Sequence, residues 1–110
     1  MHEELRCYRG LMNLAGGLAK RMTTWPRGYG YLEDQLKRAI SSAILTLSEG
    51  NGKRSGRKER RRFFEMSMGS IAEVSSCLDL ASTFGLIGHD EEIVMKQSLR
   101  LCYYQIRKLP

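Results

Sequence analysis

Seven of the ten residues from Lys53 to Arg62 are basic: Lys53, Arg54, Arg57, Lys58, Arg60, Arg61 and Arg62. Only Glu59 opposes them. The chain holds 18 Lys and Arg against 12 Asp and Glu, a net charge of +6. With this stretch set aside, acids and bases balance over the remaining hundred residues, so the whole excess is focused in one place. Charge concentrated in this way suits a polyanion or a phosphate-rich surface. It also suits a solvated helix face or a disordered tail, where charge runs are common. Deciding between them requires knowing which element carries the run.

Other chemistry-bearing residues are sparse. The only histidines are His2 and His89, and the sequence places no partner beside either. No Glu-x-x-His pair exists, which argues against a di-iron bundle. Gly50-Asn51-Gly52-Lys53 is too short for a phosphate-binding Walker loop and follows a helix rather than a strand. Gly28-Tyr29-Gly30 is no dinucleotide fingerprint. Glu49, Glu65 and Glu73 are candidates for a metal-holding, nuclease-like set, but pairing with Arg38 or exposure to solvent explains them more simply. Gly69-Ser70 reads as packing: glycine lets another backbone approach, and Ser70 can bond back along its helix or across to a neighbour. Trp25 reads as a lid over one end of the molecule. Cys7, Cys77 and Cys102 are scattered and odd in number, as expected of reduced, buried cysteines in a cytoplasmic protein. No catalytic residue, cofactor or metal is expected.

Four helices must position the basic run. In the first, over residues 3–23, Leu5, Tyr8, Met12, Ala15, Leu18 and Met22 recur at intervals of three and four and predict one apolar stripe. Gly10, Gly16 and Gly17 weaken that helix or mark a close crossing. The second is predicted over 31–49, with Leu32, Leu36, Ala39, Ala43 and Leu47 as its stripe and Ile40 and Ile44 widening it. It should be the most buried helix, and Gly50-Asn51-Gly52 should stop it. The third is predicted over 57–84, with Phe64, Met68, Ile71, Ser75, Leu78 and Ser82 on its stripe, flanked by Phe63, Val74, Ala81 and Phe84, and with Gly85 ending it. The fourth is predicted over 90–108, capped by Asp90, with a heptad-like seam of Met95, Leu99, Cys102, Ile106 and Leu109. Helices of roughly 20 residues, each about 30 Å long and joined by short links, predict an all-α fold: an antiparallel up-down-up-down four-helix bundle forming a single domain over 1–110.

This frame puts the basic run in the link and first turns of the third helix. Positive charge there opposes the helix dipole, at a typical cost of a few tenths of a kcal/mol per residue. A sequence selected for stability alone would place Asp or Glu at that end, so the conflict points to use. The composition is ordinary for a globular chain, with 42% apolar and 27% charged residues, and it lacks the roughly 20-residue apolar run of a membrane span. The start, Met1-His2-Glu3-Glu4, has no basic segment leading into an apolar one, and no signal peptide is expected.

The segments Gln35-Leu36-Lys37-Arg38-Ala39, Ser48-Glu49-Gly50-Asn51-Gly52-Lys53, Phe63-Phe64 and Gly69-Ser70-Ile71-Ala72-Glu73 together resemble the four helix bundle protein family. These proteins are encoded in intervening sequences of bacterial 23S ribosomal RNA genes. The family pattern runs close to Q-L-R-R-A, A-E-G, a basic loop, F-L and G-S-x-x-E. On it, Glu49, Gly50, Gly69, Ser70 and Glu73 fall at motif positions. The Trp25-Pro26 and Gly85-Leu86-Ile87 turns also look like family features. Thr46, Ser48, Lys53 and Arg60 depart from the pattern, and Arg60 adds charge to an already basic end. The resemblance implies a bundle commonly assembled as a homopentamer, without enzymatic activity. It extends to the accessory variability determinants of diversity-generating retroelements, which are basic pentamers that bind nucleic acid and a reverse transcriptase.

The sequence thus predicts a non-catalytic accessory protein that holds RNA or DNA through Lys53, Arg54, Arg57, Lys58, Arg60, Arg61 and Arg62. Its alternative is an oligomeric scaffold whose basic rim docks an acidic partner without touching nucleic acid. In the second helix, Ile40, Ile44 and Leu45 offer more apolar surface beside the main stripe than one narrow core is expected to cover, which favours a subunit interface.

Overall fold

Each helix forms because apolar residues recur at helical spacing between turn residues that stop it. The computed structural model of the chain describes residues 2–52 and 56–110, with side chains from residue 5 onward. The helices are α1 (His2–Met22), α2 (Gly30–Gly52), α3 (Arg57–Thr83) and α4 (His89–Arg107). α1 packs on α2, α2 on α3, α3 on α4 and α4 back on α1, with α2 and α3 sharing the most extensive contact. Sequential neighbours joined by links this short must run antiparallel, so the four helices make an up-down-up-down bundle measuring 46 × 23 × 18 Å. The described residues contain no strand, and no helix among them is long and apolar enough to cross a membrane.

α2 is the helix most enclosed by its neighbours. Leu32, Leu36, Ala39, Ala43 and Leu47 face the core as expected. Ile40 and Ile44 are buried as well, because the broad α2–α3 seam covers a wider face than a two-residue stripe. Only Leu45 of that trio lies outside, so the α2 case for a subunit interface rests on it alone. α4 buries Leu99, Cys102, Ile106 and the following Leu109, with Met95 packed at the margin: the predicted seam.

Two stripes match the predicted ones only in part: Leu18 and Met22 on the first helix and Phe64, Ile71 and Leu78 on the third are buried as expected, and the rest of each core face is shifted. On α1 the core face is Cys7, Leu11, Leu14, Leu18 and Met22, while Leu5 and Met12 are exposed. On α3 it is Phe64, Ser67, Ile71, Val74, Cys77, Leu78 and Ala81, and Met68, Ser75 and Ser82 are only partly covered. Both helices carry apolar residues on adjacent stripes, and the neighbours choose between them.

The turns divide in the same way. Gly85 adopts φ +74°, Gly85 N–H donates to Ser82 O at 3.0 Å, and Leu86 N–H donates to Ala81 O at 2.8 Å. This paired closure is a Schellman motif and ends α3 at the predicted place. α2 runs through Gly50 and Asn51 and ends at Gly52, so the trio does end the helix, but with no positive φ at either glycine and therefore without the expected left-handed turn. Gly50 is buried under Phe64 instead, and contact with that ring holds the glycine in the helix. Asp90 does not cap α4 either. Gly88 precedes the helix in an extended conformation, and Glu91 Oε1 accepts its N–H at 3.1 Å, which begins the helix one residue earlier. At that end Trp25 packs on the core as a lid, beside Tyr29, whose ring lies 5.7 Å from that of Phe84.

Candidate nucleic-acid interface

The basic run begins in the α2–α3 link and continues through the first two turns of α3. Lys53 and Arg54 lie outside the described residues. Gly56 is extended, and its carbonyl accepts Arg60 N–H at 3.2 Å, which starts α3 at Arg57. From there the 3.6-residue turn distributes the cations around the helix. Arg57, Lys58 and Arg62 are exposed, and Arg60 and Arg61 are half-buried.

The half-buried pair lies against Phe64, which is itself fully buried. The guanidinium carbons of Arg60 and Arg61 sit 5.7 and 5.8 Å from the ring centroid, within cation–π range. Arg61 also reaches the end of α4. Its Nη1 donates to Leu109 O at 2.9 Å and to Arg107 O at 3.2 Å, and its Nη2 to Ile106 O at 3.5 Å. The last carbonyls of a helix have no partner within it and carry its negative pole. A guanidinium fork satisfies both needs at once. Arg61 therefore clasps α3 to α4, a role that nothing in the sequence signals.

Arg57, Lys58 and Arg62 have no ion pair among the described residues, although Arg62 lies 5.6 Å over the Phe63 ring. The C-terminal end of α4 adds exposed Arg107 and Lys108 beside them. Arg57, Lys58, Arg61, Leu109 and Pro110 line one open depression between the two helix ends. The cations thus gather on one end of the bundle, where Glu49 and Glu59 also lie, neither of them without a partner.

The quoted motif residues lie along the α2–α3 seam rather than at this end. Gln35 Nε2 donates to Glu73 Oε2. Ser70 Oγ and Ser42 Oγ are hydrogen-bonded at 2.8 Å, and the buried Ser67 Oγ donates to Ala43 O at 2.7 Å. Gly50 meets Phe64 nearer the link. These pairs step along two antiparallel helices in register. Gly69 is not among them: it is exposed with open space around it, so no neighbouring backbone approaches there. Glu49 is exposed near the basic end and is not without a partner. Ser67 escapes sequence analysis because a serine inside an apolar stripe looks like an interruption rather than a buried donor.

A model of the 23S rRNA-intervening sequence proteins matches residues 3–107, all four helices. The chain belongs to that family. No curated protein matches it significantly over its length. Among the described residues of this member, no three or more His, Cys, Asp or Glu side chains are grouped to hold a metal ion. Glu73, once a candidate ligand, is engaged by Gln35. His89 is exposed and 3.7 Å from Glu92 Oε1 on its own helix. The resolved electrostatic perturbations also lie away from the basic end. Hydrogen bonding to Lys96 holds the Asp79 carboxyl below its usual range, and burial, then Glu73, pushes the Cys77 thiol up.

Proposed function

We propose that this protein is a non-catalytic accessory factor that binds RNA or other single-stranded nucleic acid through the basic end of its bundle. The observation that carries the proposal is the cluster of exposed Arg57, Lys58 and Arg62, without ion pairs among the described residues, beside Arg107 and Lys108. The adjacent Lys53 and Arg54 extend it by sequence. Binding releases counterions from the phosphate backbone, so affinity falls steeply with salt and depends little on sequence. Base stacking contributes little, because Phe64 is buried and Phe63 is partly covered. Arg61 supports the surface by holding α4 in place and is not a principal phosphate contact.

Assembly belongs to the same proposal. The resemblance set out from the sequence implies a homopentamer, and exposed Leu45, Val94, Leu101 and Tyr104 offer apolar surface for it. Five basic ends would then converge, enough to hold a folded RNA together with a protein partner such as a reverse transcriptase in the cytoplasm. The retroelement association rests on the resemblance alone.

The test is the triple variant Arg57→Glu, Lys58→Glu, Arg62→Glu, with single-stranded RNA binding followed by fluorescence anisotropy across a salt series. Each lost phosphate contact lowers the slope of log affinity against log salt by about 0.7, so a reduction of roughly 2 is expected. Unchanged affinity and slope would refute this function. If an acidic protein were captured instead through the same residues, with no RNA binding by the wild type, the scaffold reading would replace it.

A further inference from the structure

The crossing of α1 and α4 brings together two core thiols whose sulfur chemistry the basic end does not use. Cys7 and Cys102 are both buried. Cys7 Sγ lies 4.0 Å from Cys102 O, and Cys102 Sγ lies 3.9 Å from Cys7 O. This reciprocal approach sets the two side chains against each other across the seam. Gly10 makes it feasible: a Cβ there would stand 3.3 Å from Cys102 Sγ and press on it. Cys7 Sγ lies 3.1 Å from Gln105 Oε1, so a polar group attends the pair. A hydrogen bond with Cys7 draws the Cys102 thiol below its ordinary pKa against the opposing effect of burial. Cys102 keeps a sliver of exposure, 5% against none for Cys7, and is the member a peroxide reaches first. Cys77 is a built-in contrast, buried on α3 with its thiol pushed the other way.

We propose that Cys7 and Cys102 form a reversible intramolecular disulfide when the protein meets a peroxide, tying the first helix to the last. The Cys102 thiolate attacks one peroxide oxygen, the O–O bond breaks, and the departing hydroxide takes a proton to become water. This leaves a sulfenic acid on Cys102. The Cys7 sulfur gives up its proton and attacks the sulfenic sulfur. The S–O bond breaks, a second water leaves, and the S–S bond forms. Two thiols lose two electrons in all, and one peroxide is reduced to two waters. A dithiol reductant restores the thiols by exchange. The linked residues are 95 apart in sequence, so the bond closes almost the whole chain into a loop and restricts its unfolded state.

The experiment treats the full chain with hydrogen peroxide, denatures it and counts thiols. The three cysteines should fall to one titratable thiol, with the peptides of Cys7 and Cys102 linked in a mass map. The oxidised protein, free of links between chains, should melt several degrees higher, and dithiothreitol should reverse the gain. Cys77→Ser should retain the full response, whereas Cys7→Ser and Cys102→Ser should each abolish it. The proposal is overturned if all three thiols persist, if the link runs between chains or through Cys77, or if Cys102 proceeds to a sulfinic acid without a linked peptide. An equal melting gain in Cys7→Ser would overturn it too.

Discussion

Phe64 shows how much one residue organises. Its ring is buried beneath Gly50 on one side, and the guanidinium groups of Arg60 and Arg61 lie over it. A Cβ on Gly50 would stand 2.6 Å from the ring edge, closer than atoms can pack, and the fully buried ring has no room to retreat. Gly50→Ala should therefore destabilise the protein. Overpacking costs about 1–3 kcal/mol, which outweighs the gain of about 1 kcal/mol that alanine brings to a helix. Gly16 is the control: it is an exposed helical position with nothing within 4 Å of a new Cβ. Gly16→Ala should stabilise by about 0.5–1 kcal/mol. Urea midpoints for the two variants should move in opposite directions, and a shared direction would contradict this account of Gly50. The sequence revealed that Gly50 is special but suggested a helix stop, because a glycine kept for a left-handed turn and one kept for a neighbouring ring look the same in one dimension.

At the scale of elements, legibility depended on whether a helix offers one apolar stripe or two. From Ile93 on α4, the positions that would continue a rival stripe are Lys96, Gln97 and Arg100. Gln97 and Ser98 likewise interrupt the face of Val94 and Leu101, so only the seam from Met95 to Leu109 is continuous, and it is the seam observed. On α1 both Leu5-Tyr8-Met12-Ala15 and Cys7-Leu11-Leu14 have helical spacing and converge on Leu18. Periodicity cannot rank them, and the Gly10–Cys102 crossing with α4 does. The basic run behaves similarly. Its place at the start of α3 was readable from the link, but its division into a clasp and a free surface depends on where α4 ends. Arg61→Met should cost about 1–2 kcal/mol of stability by stripping the α4 carbonyls of a charged donor. The Arg57, Lys58 and Arg62 exchanges should leave thermal stability within about 0.5 kcal/mol, since they are surface changes. Thermal melts of the two variants measure the division directly. Equal losses would mean that the run is one structural unit.

For the whole molecule, the question is what covers the apolar residues that a single bundle leaves outside. Leu5 and Met12 on α1, Leu45 on α2, Met66 and Leu80 on α3, and Ile93, Val94, Leu101 and Tyr104 on α4 are all exposed. Scattered single residues of this kind are normal on a monomer, but several on one helix mark an association surface. α4 carries the most, and Val94 and Leu101 are one heptad apart, so they share a face that a second copy can cover. If that face is the interface, light scattering on a sizing column should report a multiple of 12.6 kDa at micromolar concentration, and five-fold that mass for a pentamer. Val94→Lys with Leu101→Glu should shift the peak to the monomer while preserving helix content, because neither side chain belongs to the core. A loss of one interface would also thin the charge at the basic end. The avidity of several joined basic ends can exceed that of one by a factor of about 10² or more. The same double variant should therefore weaken RNA binding at moderate salt with its basic residues intact. A monomeric wild type that binds RNA as tightly as the variant would separate the two properties and leave binding to the single bundle.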